Sequence, residues 1–214
     1  MPNKETIYID TVETPAEAIR KLKEGNFRFI NNMPVNKDFL NRITETKDEQ
    51  TPYAAILSCM DSRVSVELVF DQGVGDVFSI RIAGNVVTDG ILGSLEYSTA
   101  VAGAKLILVM GHTNCGAIKG ACDNVKIGHL TPLLEQIKPA VAKERATIDN
   151  RTGSNLQFVN NVAMLNIENS VSEILRRSEP IRNLVEEGKL DIVPAIYNVA
   201  TGKVSFNGFE HKIN

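Results

Sequence analysis

The sequence predicts an α/β fold, a mostly parallel four- to five-stranded sheet flanked by helices, with an N-terminal helical extension. Three observations predict it. Short, continuous apolar runs recur along the chain, segments of helical period lie between them, and no repeat, low-complexity tract or linker divides the 214 residues. Strands covered on both faces read as continuous apolar runs, and strand–helix alternation implies right-handed crossovers. A chain of this length buries roughly 70% of its unfolded surface, enough for one core. The expected organisation is therefore a single unit, with residues 1–50 as a helical arm and 51–214 as the α/β core.

The elements follow in order. Thr14 to Ile30 reads as a helix: Thr14 caps it, Pro15 suits the first helical position, and Glu17 completes a capping box. Ile19, Leu22, Phe27 and Ile30 then fall near one face, while Gly25 weakens the pattern. A polar stretch, Asn36 to Gln50, leads into the first strand. Strands are expected at Tyr53–Cys59, Val77–Ile82, Lys105–Gly111 and Leu190–Tyr197, with Lys203–Phe206 as an edge strand. Pro194 marks the fourth strand as bulged or close to an edge. Helices are expected at Ser62–Phe70, Thr88–Ala102, Thr131–Lys143 and Asn155–Arg177. In the last of these, Val159, Val162, Ala163, Ile167, Val171 and Ile174 recur at helical spacing.

Composition narrows the function. A net charge of −3 and a pI near 5.7 argue against a nucleic-acid partner, which calls for a basic face. No segment approaches the roughly 20 apolar residues of a membrane span. The first residues, MPNKETIYIDTVET, lack the apolar core of a secretory signal, so a cytoplasmic setting is expected. Three cysteines are too few for a disulfide framework. In a reducing compartment they read instead as ligands or nucleophiles.

The informative residues fall where the first and third strands end. Cys59-Met60-Asp61-Ser62-Arg63 closes one and His112-Thr113-Asn114-Cys115 the other. In parallel sheets, sites form beyond the carboxyl ends of strands. If the two strands are neighbours, Cys59, His112 and Cys115 meet in one crevice, His112 and Cys115 sharing the first turn of a helix. Two thiolates and an imidazole suit zinc, and three protein ligands leave a tetrahedral ion one open position. Two thiolates also offset the ion's charge, so further groups must favour an ionised nucleophile. The helix N-terminus at Cys115 is expected to lower that thiol's pKa. Asp61 lies two residues from a ligand and can reach the fourth position, while Arg63 can fork both its carboxylate oxygens. Asp61 released from Arg63 becomes a conditional fourth ligand that closes the site. The plainer alternatives are a buried cysteine acting as a small hydrophobe and an Asp61–Arg63 pair that caps a helix. Cys122, two helical turns past Cys115, reads as packing, and His129 and His211 as surface residues.

Cys59-x-Asp61-x-Arg63 followed by His112-x-x-Cys115 resembles the β-class carbonic anhydrases. The likeness extends through Gly75-Asp76-Val77-Phe78, Arg81-Ile82-Ala83-Gly84-Asn85, Gly93-Ser94-Leu95-Glu96-Tyr97 and Gly111 to Ala117, with an echo at Ala195-Ile196-Tyr197-Asn198. It implies one zinc ion per subunit and reversible hydration of carbon dioxide to bicarbonate and a proton. It also implies a homodimer or homotetramer with N-terminal helices reaching across. Gln50, Phe78, Ala83 and Tyr97 would line a substrate pocket beside zinc. Alanine stands at 83 where one branch often has valine. A second branch builds a bicarbonate pocket from Trp, Arg and Tyr. Arg81 and Tyr197 match two of these, but Ile56 stands in the tryptophan's place, so that pocket is not expected. Two rivals stay open: hydrolysis of carbon disulfide or carbonyl sulfide on the same scaffold, and a non-catalytic zinc-binding module.

Overall fold

The structure, a computed structural model, describes residues 12–206. The parallel sheet forms as expected, with strand order β2-β1-β3-β4-β5. Its strands are β1 (Ala54–Ser58), β2 (Val77–Arg81), β3 (Leu106–His112), β4 (Asp191–Tyr197) and β5 (Val204–Ser205). All pairings are parallel except β4 with β5. β1 and β3 are buried at every position, which explains their unbroken apolar runs. Pro194 pairs with Val109 on β3, while β5 meets β4 only at Ile196 and Tyr197. Among the described residues, the outer side of β4 at Pro194 is thus an open edge, where a missing N–H costs no ladder bond.

The first helix is α1 (Pro15–Ile30), capped by Thr14 with the reciprocal bond from Glu17. Gly25 does not break it. A Cβ there would lie 1.8 Å from the Phe70 carbonyl oxygen, so glycine lets α1 touch that backbone. Asn26, buried, ties α1 to the core by donating to the carbonyls of Val69 and Gly202 and accepting from Val204 N–H.

The polar stretch before β1 contains a helix the sequence reading omitted, α2 (Phe39–Thr46), capped by Asp38. The helix expected at Ser62–Phe70 shrinks to α3 (Val66–Val69), because Asp61 to Arg63 form a turn. α4 (Asp89–Glu96) runs on through a π-helical turn at Tyr97–Val101, matching the expected Thr88–Ala102. α5 (Gly116–Cys122) follows β3. The helix expected at Thr131–Lys143 is two, α6 (Leu130–Glu135) and α7 (Lys138–Lys143). Pro139 suits the start of α7 but would lack the N–H that one continuous helix needs. α8 (Leu156–Arg177) matches its expected span, and α9 (Glu179–Glu186), unforeseen, follows on a Ser178 cap. No helix among the described residues is long and apolar enough to cross a membrane.

Candidate metal centre

β1 and β3 are neighbours, with Ser58 beside Met110. Cys59 leaves the end of β1, His112 is the last residue of β3, and Cys115 is the N-cap of α5. His112 and Cys115 therefore do not share a helical turn, although their spacing predicted that they would. Asn114 takes the left-handed conformation (φ 58°) and folds the chain back between them. Asn160 of α8 holds that corner by accepting from Asn114 N–H, and Thr113 N–H donates to Tyr197 O.

The three ligand atoms lie within 4.8 Å of one another, and all three side chains are buried. Nδ1 of His112 lies 2.9 Å from the Thr113 carbonyl and donates to it, which leaves Nε2 with its lone pair free. That Nε2 is buried without a hydrogen-bond partner. A buried acceptor facing two sulfurs is costly unless something fills the space between them, and a divalent cation does so. The residues present fit such an ion. Cys122 is buried near the far end of α5 and outside this group, and burial pushes its thiol up to about 11.

Cys59 and Cys115 sulfurs are 3.9 Å apart. The bond from Cys115 lowers the pKa of Cys59, aided against burial by His112 and the Gly84 N–H. Cys115 moves the other way, because it hydrogen-bonds to a thiolate and is itself buried. The expected acidification by the helix N-terminus is real but outweighed. The amides of Ile118 and Ala117 favour the Cys115 thiolate less than its neighbour disfavours it.

Asp61 and Arg63 form the anticipated fork. Nε of Arg63 donates to Oδ1 at 2.9 Å, one terminal nitrogen donates to Oδ2 at 2.7 Å, and the Arg63 backbone N–H adds a third bond at 3.0 Å. The guanidinium holds the Asp61 carboxyl well below the usual carboxylate range. Oδ2 of Asp61 is 3.8 Å from His112 Nε2, at the mouth of the three-ligand group.

Sequence reasoning missed several supports. Arg81 donates to the carbonyls of Cys59 and Asp61, so its guanidinium grips the turn that carries a ligand and the carboxylate. Gly84 donates its N–H to Cys59 Sγ at 3.4 Å. Gly84 (φ 66°) needs to be glycine, since a Cβ would meet Ile137 at 2.8 Å and Ala117 at 3.2 Å. The Gly84-Asn85 dipeptide is a left-handed turn signal that could have flagged this loop. Ile56 and Tyr197 are buried.

The expected pocket residues divide. Ala83 directly precedes Gly84, whose N–H reaches Cys59 Sγ. Phe78 and Tyr97 stack edge to face, with centroids 6.2 Å apart, and Gln50 reaches the Tyr97 hydroxyl. Phe78 and Tyr97 also border an open cavity of about 370 Å³ with Ser79, Ile80 and Gly93. This cluster is not beside Cys59 of its own chain. Gln50 precedes β1 and Cys59 follows it, and Phe78 pairs with Ala55, four residues earlier and about 13 Å back along the strand. A cavity of about 650 Å³ between α7, α8 and Val86–Asp89 contains none of the three ligands, so donor chemistry rather than volume locates the centre. His129 is exposed ahead of α6, and His211 lies outside the described residues.

Comparison with known proteins adds an independent line. The carbonic anhydrase family model matches residues 54–204. A carbonic anhydrase of Mycolicibacterium smegmatis is 32% identical over 196 residues, covering 89% of this chain and 92% of that protein. Carbonic anhydrase 2 of Mycobacterium tuberculosis is 33% identical over 195 residues, covering 88% and 91%. Among solved structures, a Coccomyxa β-carbonic anhydrase in complex with acetazolamide superposes with a TM-score of 0.71 at 26% identity, over 89% of this chain and 83% of that one. A tetrameric β-carbonic anhydrase of Sordaria macrospora, 24% identical, shares the fold with a TM-score of 0.70 over 90% and 95%. The chain, with its Cys59–His112–Cys115 metal-binding group on this sheet, belongs to the β-carbonic anhydrase family.

Proposed function

We propose that the protein is a zinc-dependent carbonate dehydratase that interconverts carbon dioxide with bicarbonate and a proton. One observation carries this reading: two sulfurs and a partnerless imidazole nitrogen converge beside a carboxylate that an arginine keeps ionised. Zinc suits the donors. Thiolates on a tetrahedral ion with bonds of about 2.3 Å sit roughly 3.8 Å apart, and these sulfurs are 3.9 Å apart. When bound, zinc would acidify water so that a nucleophile exists near neutral pH. The rest falls to the chain. Asp61, held as carboxylate, accepts a hydrogen bond from the attacking oxygen and aims its free lone pair at the carbon. Arg63 fixes Asp61 in that pose, and a carboxylate released from it would be free to turn toward the metal and block the centre.

A second copy of the chain completes the pocket. Gln50, Phe78 and Tyr97 sit at the far end of β1 from the ligands, and Tyr97 is 48% exposed. A partner subunit placing them over the metal crevice reconciles that distance with a role in substrate binding, Gln50 donating to a substrate oxygen and Phe78 and Tyr97 supplying apolar walls. A cytoplasmic setting keeps the ligand thiols reduced.

Stopped-flow hydration of carbon dioxide across pH, with zinc content measured on the same sample, tests the proposal. Activity is expected to scale with zinc and to rise with pH, and Cys115→Ser to lose both metal and turnover. A fully zinc-loaded protein that hydrates no carbon dioxide above buffer would sink the reading. Turnover of carbon disulfide or carbonyl sulfide in its place would assign the related hydrolysis instead.

A further inference from the structure

We propose that Asn166 and Ser170 are positioning residues for the metal ligand Cys59. From α8 they hold the Gly84–Asn85 turn so that the Gly84 N–H donates to the Cys59 sulfur, which sets how much charge that sulfur gives to the ion. The inference deepens the zinc reading above and rests on it.

Two consecutive residues of this turn are left-handed, Gly84 at φ 66° and Asn85 at φ 44°. Glycine adopts that conformation freely, and asparagine more readily than other side chains but at a cost that neighbouring contacts can offset. The support comes from one face of α8. Asn166 Nδ2 donates to Gly84 O at 2.8 Å, and Ser170 Oγ, one helical turn on, lies 3.0 Å from Asn85 O. The single Ser170 hydroxyl proton is shared with the helix carbonyl of Asn166, also 3.0 Å away. Both side chains are buried, at 2% and 4% exposure, on a helix face otherwise lined by Val159, Val162, Ala163 and Ile167. Polar groups in such a face are destabilising unless bonded. Here they bond to the carbonyls of the turn whose amide reaches Cys59.

An N–H donor to a thiolate draws charge from sulfur and weakens its donation to a metal. Two thiolates neutralise a divalent ion and blunt its acidity, so a donor that trims one of them acts in the direction catalysis needs. A merely structural clamp would satisfy the same carbonyls without any effect on the sulfur.

The cobalt(II)-substituted protein separates the two. Its thiolate-to-metal charge-transfer absorption reports the energy of the sulfur lone pair. Asn166→Ala and Ser170→Ala are expected to move that band to longer wavelength, because a sulfur relieved of its donor gives up charge more readily. Ser172→Ala, on the same helix but away from the turn, is expected to leave it in place. Ser170→Ala removes one buried oxygen and decides the matter should Asn166→Ala fail to fold. A band that stays at the wild-type wavelength in the folded variants, or that Ser172→Ala moves equally, overturns the clamp and leaves the zinc reading intact. Wild-type protein that takes up cobalt without any thiolate band overturns the zinc reading and the clamp together.

Discussion

Asp61 and Arg63 present two roles that differ in magnitude. Their side chains are 17% and 46% exposed, so water screens the pair, and such contacts stabilise a fold by about 1 kcal/mol or less. A group that orients the attacking oxygen is worth roughly a hundredfold or more in rate. Asp61→Asn is therefore expected to retain zinc and nearly the wild-type melting temperature while losing about two orders of magnitude in kcat. Equal kcat in the variant would reduce the pair to a helix-capping salt bridge. The pH dependence has a definite sign. Arg63 depresses the Asp61 pKa, so the carboxylate is ionised at all pH values above the ordinary carboxylate range, and its contribution disappears only as pH falls through the lowered value. Removing the guanidinium with Arg63→Ala should raise that pKa, so that kcat falls as the freed Asp61 blocks the centre and the acid limb of the remaining activity moves to higher pH. The three ligands were legible in sequence because sulfur and imidazole at the ends of adjacent strands have few other uses. Arg81, Asn166 and Ser170 were not, and Gly84 was legible only as a turn signal. Each acts on backbone atoms or through them across 20 or more residues, and such contacts leave no spacing pattern.

The strands were readable because burial on both faces forces continuous apolar runs, and β1 and β3 are fully buried. α2 escaped notice because its short apolar set, Phe39, Leu40 and Ile43, sits in a polar tract and packs into no core of its own chain. α9 was missed although Ser178 and Pro180 mark its start, because α8 ends only one residue earlier. Gly25 looked like a helix defect and is a contact. Gly25→Ala would drive a Cβ into the Phe70 carbonyl and push α1 off α3. Overpacking of that kind typically costs about 1–3 kcal/mol, and urea unfolding should show at least the upper part of that range, since backbone cannot swing aside as a side chain can. The loop between α7 and α8 depends on Glu144, buried at 2% exposure and bonded by Asn161, Thr147 and Arg151. Burial alone would raise its pKa, and those bonds outweigh it and hold the group below the usual range. Its stabilisation is thus complete above the unfolded value of about 4.3 and is lost as pH falls through the lowered one. Glu144→Gln is expected to cost roughly 2–3 kcal/mol at pH 7, less than a fully buried pair because Arg151 is partly exposed. The gap between the two proteins should narrow below about pH 4, and a gap constant with pH would deny the carboxylate this role.

At the scale of the whole molecule, apolar surface and site geometry point the same way. Phe39, Leu40 and Ile43 on α2 are 52–78% exposed, although a helix of that composition is expected to bury one face. The Gln50–Phe78–Tyr97 cluster lies a strand's length from the ligands of its own chain. A closed two-fold dimer that covered these surfaces, as proposed above, would set each cluster against the partner's metal crevice, with the two sites equivalent. Complementation distinguishes this from a self-contained subunit. Cys59→Ser destroys the metal site and keeps the cluster, whereas Tyr97→Ala with Gln50→Ala keeps the metal site and destroys the cluster. Each homodimer should be nearly inactive. Co-expressed with different tags, the two chains form mixed dimers in which one crevice has both halves intact and the other has neither. Random pairing makes half the dimers mixed, so the preparation should recover roughly a quarter of wild-type turnover, and purified mixed dimers about half. If each chain carried its own complete pocket, every crevice in the mixture would lack one half, and mixing would restore nothing.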